Sequence, residues 1–530
     1  MITARGANGR FYPLASVEEF VPPVHGTTDR DTLRALDDVE RRLGVWDRRI
    51  GVADWALYTG RGNERTGVRL QSDRASFLRS SEVGRLVRRL APPLGAPLLD
   101  RRAELLRRAR LDADVEQSPE IVRLRSKLQA RIIRFRPRWE GRRVGRAVVY
   151  EALRTSRARS DRERAWLAEQ PLNRSLEAPT LRLIGMRNDR ARSAGYRSFL
   201  DLRLAFEGVS AARLASLART AGAPVRSLAR RLAEQVEERT GEAGWLPWDL
   251  RFALEGRAPL PKGPFPGSRM VPTIRRGLAA WGFDPRRLRF PIVRQDLPFG
   301  GLTVAPRIPT DIRILVHPKG GWDYYGVLFH EYGHAVHFRS VDQPTHLLRN
   351  PDLGFAGFAE GIAGVFEQIA CDPEWLGTVR GLDRSAATEF ARWRRHAAVF
   401  DTGAHALRFE SEVRLYEHPD RDPREAIRTL ARTRFGFDEF DARSWGDPFL
   451  VTHPVYQQSY LISYLFRAQV AAAMQRATSS AFWPNRRAAA WLTESFFAAG
   501  ARYDWAERLE DVTGAPLSAA PFVAASRAPR

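Results

Sequence analysis

Residues His330, Glu331, Tyr332, Gly333 and His334 constrain this chain more than any other stretch. Two histidines four apart share a face only where the backbone is helical, because one turn of helix brings residue i+4 back over residue i. On that face both imidazoles can bind one metal ion. Glu331, next to the first histidine, points toward the open side of the same ion, where it can take a proton from water instead of acting as a ligand. Val327, Leu328 and Phe329 precede the motif, and Ala335 and Val336 follow it. Gly333 costs about 1 kcal/mol in a helix interior, so its place there calls for close packing or access. The pattern predicts a buried helix, which requires a fold large enough to surround it.

A catalytic metal site needs a third protein ligand. Glu360 lies in a run of small and apolar residues from Gly354 to Glu367, and a carboxylate is costly to bury in such surroundings unless a cation compensates it. Glu367, two turns further along the same face, has two open readings: a hydrogen-bond partner for a metal-bound histidine, or an ordinary surface acid.

The strings FHEYGHAVH and FAEGIAGVFE together resemble the thimet oligopeptidase and oligopeptidase F family of zinc peptidases, with angiotensin-converting enzyme as a more distant relative. The resemblance covers Arg313 to Gln469. It implies one zinc ion held by His330, His334 and Glu360, Glu331 as general base, short peptides as substrates, and either oligoendopeptidase or dipeptidyl carboxypeptidase activity. It also implies a mainly α-helical fold whose two halves face each other across a deep substrate channel, with a small β element beside the zinc helix. Asn188 to Phe199 and Trp55 to Gly60 match the family more loosely. In the implied mechanism Glu331 deprotonates water, the resulting hydroxide attacks the peptide carbonyl, and the same proton passes to the leaving amine.

His453, followed by Tyr456, Tyr460 and Tyr464, matches a histidine and tyrosine cluster that relatives use to hold the substrate carbonyl. A donor already in place where negative charge develops is chemically sound for that task. The resemblance assigns it to His453 and Tyr460, with Tyr456 and Tyr464 as substrate contacts. Tyrosines every four residues also describe a plain core stripe, and that reading stays open. His337, on the metal face, is read either as a substrate contact or as packing. Gly300 to Pro306 and Asp311 to His317 read as two short strands around a proline turn. In the family, an edge strand at this place pairs with the bound peptide.

From Asp29 to about Glu255 amphipathic helices follow one another, with examples at 31–50, 82–90, 119–134 and 211–238. This predicts one peptidase unit made of a helical half (about 1–255), a Pro/Gly-rich connection (256–299), a zinc-site half (about 300–514) and a tail (515–530). The net charge of +23 is nearly all arginine, with lysine only at Lys127, Lys262 and Lys319. Arginines mixed with acids mark solvated helix faces. The densest cluster comprises Arg131, Arg134, Arg136, Arg138, Arg142, Arg143 and Arg146, opposed within it by Glu140. It defines the rival reading, a catalytically silent zinc-fold protein that binds nucleic acid or another anionic partner. No zinc-finger, RNP or helix-turn-helix signature accompanies the cluster, and a scaffold would need the ligands but not Glu331. Cys371 is the single cysteine, which excludes an internal disulfide and predicts a small buried residue. No signal-peptide core or run of about 18 apolar residues is present, which predicts a cytoplasmic protein without a membrane partner.

Overall fold

The computed structural model describes residues 3–5, 11–13, 30–243, 246–254, 264–295, 300–350, 356–436 and 446–527. It is mainly helical with small sheets, as the periodicity predicts. The chain forms two compact units, each assembled from three segments: Met1–Gln117, Pro261–Ala391 and Ile462–Pro521 in the first, and Ser118–Leu260, Arg392–Leu461 and Phe522–Arg530 in the second. These units are not the consecutive halves read along the sequence. Helix periodicity locates elements but carries no information on which distant elements pack together.

In the first unit, helices Arg30–Tyr58, Glu64–Arg79, Ser81–Arg89 and Pro97–Val115 precede the site elements. Their ends follow local chemistry. Asn63 caps the second by accepting from the Thr66 N–H at 2.9 Å, and Pro97 opens the fourth, where its missing N–H costs nothing. A three-stranded sheet follows, in the order Ile292–Arg294, Asp311–Val316, Gly301–Arg307. The last two strands are the expected hairpin, antiparallel, with Thr303 opposite Ile314. The first runs parallel to the central strand, with Ile292 opposite Ile314. It lies inside the stretch read as connection, where three residues are too few for an alternation to register.

Helix Trp322–Ser340 carries the histidine pair, and helix Ala356–Glu367 carries Glu360. Their packing explains the mid-helix glycine. A Cβ on Gly333 would sit 2.8 Å from the Ala363 Cα, closer than two carbons can approach, so only glycine lets the helices meet here. Behind them, the rings of Phe329 and Trp375 lie 5.3 Å apart and those of Trp281 and Phe366 5.4 Å apart, within a fully buried aromatic core. The predicted burial of Cys371 is only partial, because the helix ends at Glu367 and the residue sits at the end of a 3-10 turn (Gln368–Cys371) near the surface.

The second unit packs Ile121, Leu128, Leu172, Leu176, Leu183 and Val451 into an aliphatic core. The spine is helix Arg159–Ser193. Its fully buried Arg162 pairs with fully buried Asp249 at 2.6 Å, and its buried Asn188 donates to the Tyr416 carbonyl and accepts from the Phe199 N–H. The stretch 211–238 is two helices, Ala211–Gly222 and Val225–Thr240, separated where Pro224 cannot continue the first. The arginine cluster spans the end of helix Pro119–Arg134 and a hairpin, Arg138–Trp139 paired with Arg142–Arg143, that helical periodicity does not announce. Arg146 belongs to the fold and not to a free patch, since it forks onto buried Glu169 at 2.7 Å. The tail read from 515 onward contains a helix, Ala520–Arg527. Among the described residues, no helix is long and apolar enough to cross a membrane.

Candidate metal centre

The first unit brings His330, His334 and Glu360 together. The two Nε2 atoms are 3.2 Å apart, and His330 Nε2 lies 3.3 Å from Glu360 Oε2. Donors at roughly 2.0–2.1 Å from a tetrahedral ion are separated by about 3.3 Å, so these spacings suit three ligands around one centre. All three ligand atoms lie within 4.8 Å of one another, on side chains that are neither fully exposed nor fully buried. Two imidazole nitrogens and one carboxylate oxygen make a donor set suited to zinc and related divalent ions.

The electrostatics agree with a cation. Burial disfavours a charge on His330, yet Glu360 and then Glu367 outweigh it and push its pKa up to about 10. Burial first, and the neighbouring His330 second, push His334 down to about 4, leaving the neutral imidazole that a metal requires. A positive charge in the gap would satisfy the carboxylates without a proton on either ring.

Glu331 is 7% exposed, and burial raises its pKa to about 7 against the opposing pull of His330 and Thr303. A buried carboxylate beside the two imidazoles is placed to take a proton. Thr303, on the strand Gly301–Arg307, places its hydroxyl 2.8 Å from Glu331 Oε2 and 2.9 Å from the Glu331 carbonyl. Sequence reading missed this residue, since a threonine in a short strand carries no signal until the register is known.

Glu367 Oε2 lies 3.8 Å from His330 Nδ1, a charge contact longer than a hydrogen bond, and 3.3 Å from the Arg467 guanidinium. That guanidinium rests 3.9 Å over the Tyr464 ring. Glu367 therefore lies between His330 and Arg467, and Tyr464 joins the same group through Arg467.

His337 departs from the substrate reading. It is fully buried between Phe338, Phe358 and Phe497, and neither ring nitrogen has a hydrogen-bond partner among the described residues. A side chain with no exposed surface cannot touch a substrate. Burial holds it neutral, with its pKa down at about 3. Spacing placed it on the metal face but could not say that the face is closed one turn further on.

His453, Tyr456 and Tyr460 belong to the second unit, where they form an aromatic cluster. The His453 ring stacks on Phe449 at 4.7 Å and lies 5.6 Å from Tyr456, which in turn lies 5.4 Å from Tyr460. Tyr456 precedes the helix Gln457–Thr478, so the three tyrosines are not one helical stripe. Val455 explains the break. Its φ of 51° is a strained conformation for a β-branched residue, held where its N–H donates to buried Glu412 at 2.9 Å. His405, which has no spacing signal, lies 4.8 Å from the Tyr460 ring and contacts Gln457 at 2.8 Å.

No family model and no curated protein matches this sequence. Solved structures do match in fold. Metallocarboxypeptidase 1 of Trypanosoma cruzi is 16% identical, with a TM-score of 0.64 over 94% of this chain and 100% of that one. A carboxypeptidase from Pyrococcus furiosus is 16% identical, with a TM-score of 0.64 over 95% and 99%. An oligoendopeptidase F is 17% identical, with a TM-score of 0.67 over 93% of each chain. At this identity the likeness establishes the helical fold.

Proposed function

We propose that this chain is a zinc-dependent peptidase acting on short peptides. The observation that carries the proposal is the convergence of His330 Nε2, His334 Nε2 and Glu360 Oε2 beside a buried carboxylate, Glu331, that the Thr303 hydroxyl holds at 2.8 Å. The peptidase names attached to the similar folds support it.

His330, His334 and Glu360 would hold the ion, which when bound supplies Lewis acidity toward water and the peptide carbonyl. Glu331 accepts the proton that water loses as it attacks that carbonyl. It then returns the proton to the leaving amine, so one carboxylate serves as base and then as acid. Glu367, 3.8 Å from His330 Nδ1 and held by Arg467 at 3.3 Å, would offer the ring a charge partner on its far side.

Mass-spectrometric mapping of products from a mixed peptide library, with and without a chelator, tests the reading. Chelator-sensitive cleavage supports it, and the cut positions distinguish internal cleavage from removal of C-terminal residues. Cleavage that survives complete metal removal contradicts it.

A further inference from the structure

We infer that Thr303 is a positioning residue for Glu331, which rests on the peptidase reading above. Glu331 leaves its helix toward the strand Gly301–Arg307, and that strand grips it at two points. The first is Gly301, where a Cβ would come within 2.9 Å of the Glu331 Cγ, so the backbone presses directly on the side chain. The second is the Thr303 hydroxyl, 2.8 Å from Oε2. Packing limits where the stem can go, and the hydroxyl sets the rotation of the carboxylate plane.

A hydroxyl donates one proton. With Glu331 ionised the carboxylate is the stronger acceptor, because a charge-assisted hydrogen bond outweighs one to a carbonyl already used within its helix. Oε2 is thereby occupied, and Oε1 is left to take the proton from water. The same hydroxyl lies 2.9 Å from the Glu331 carbonyl. The hydroxyl thus ties the side chain to the strand at a fixed direction. Thr303 is in register opposite Ile314 within a paired sheet, so its position is set by backbone hydrogen bonds and does not depend on a mobile loop.

The test compares Thr303→Val, which keeps the β-branched shape and removes the hydroxyl, with Thr303→Ser, which keeps the hydroxyl. On any peptide that the wild type cleaves, Thr303→Val lowers kcat about 10- to 100-fold, with KM and metal content unchanged, and Thr303→Ser restores kcat to within a few-fold. A Thr303→Val enzyme with wild-type kcat overturns the inference, as does one whose loss comes with lost metal or a raised KM. If Thr303→Val fails to fold, the pair Thr303→Ser and Thr303→Ala makes the same comparison, and equal kcat in the two overturns it. A wild type that cleaves no peptide instead refutes the peptidase reading, so the two failures are distinguishable.

Discussion

His330 in the first unit faces Glu360 at 3.3 Å and Glu367 at 3.8 Å, whereas His453 in the second stacks on Phe449 at 4.7 Å and contacts the Thr452 hydroxyl at 2.8 Å. The first surroundings are carboxylates that lower the energy of a positive charge. The second include aromatic rings and a hydroxyl. The same residue type thus sits among carboxylates that favour a cation in one unit and within an aromatic cluster in the other, and the difference lies in the neighbours, not in the histidine.

The comparison breaks most sharply on metal content. His334→Ala removes one of three ligands and should lose both metal and turnover, whereas His453→Ala, which removes a ring of the aromatic cluster and no ligand, should keep the metal. Metal analysis and kinetics on both variants decide the matter, and metal lost from the His453 variant would erase the distinction. Glu367→Gln gives a smaller effect on the carboxylate side, weakening metal affinity about 10- to 100-fold. Competition with a chromophoric chelator measures it, and unchanged affinity would reduce Glu367 to a partner of Arg467 alone.

Legibility differed between the two regions for a physical reason. His330, His334 and Glu331 fall within one helical turn, and local spacing reports such geometry directly. Glu360 stood out because a carboxylate among glycines, alanines and phenylalanines needs a counter-charge. Thr303, Arg467 and His405 were not legible, because each reaches its partner through strand register or helix packing. His337 shows the converse. Its spacing matched the metal face, but the packing of Phe358 and Phe497 decided that it sees no solvent. The hairpin Arg138–Arg143 and the three-residue strand Ile292–Arg294 were too short for periodicity to show.

Two smaller effects test how each region is built. Gly333→Ala gains about 1 kcal/mol in helix propensity but places a methyl against the Ala363 backbone, where overpacking costs about 1–3 kcal/mol. A net loss in unfolding free energy together with weakened metal binding is expected, and a stabilised protein would contradict the close helix contact. In the second unit, burial pushes Glu412 up to about 8, above its ordinary value of 4.5. Its folded form therefore holds a proton that the unfolded chain releases earlier. The associated stability is fully present below pH ~4.5 and is lost as pH rises through ~8. Glu412→Gln, which keeps an oxygen for the Val455 N–H, should flatten that decline in chemical denaturation followed across the range. An unchanged slope would mean that Glu412 is ionised in the fold.

The central claim is that His330, His334 and Glu360 hold a catalytic metal for which Glu331 is the base. Its most direct test is peptide turnover by wild type and Glu331→Gln, with metal content determined on the same samples. The account predicts equal metal in both, near one ion per chain, and turnover reduced about 1,000-fold in the variant. Turnover retained by Glu331→Gln at full metal loading would contradict it.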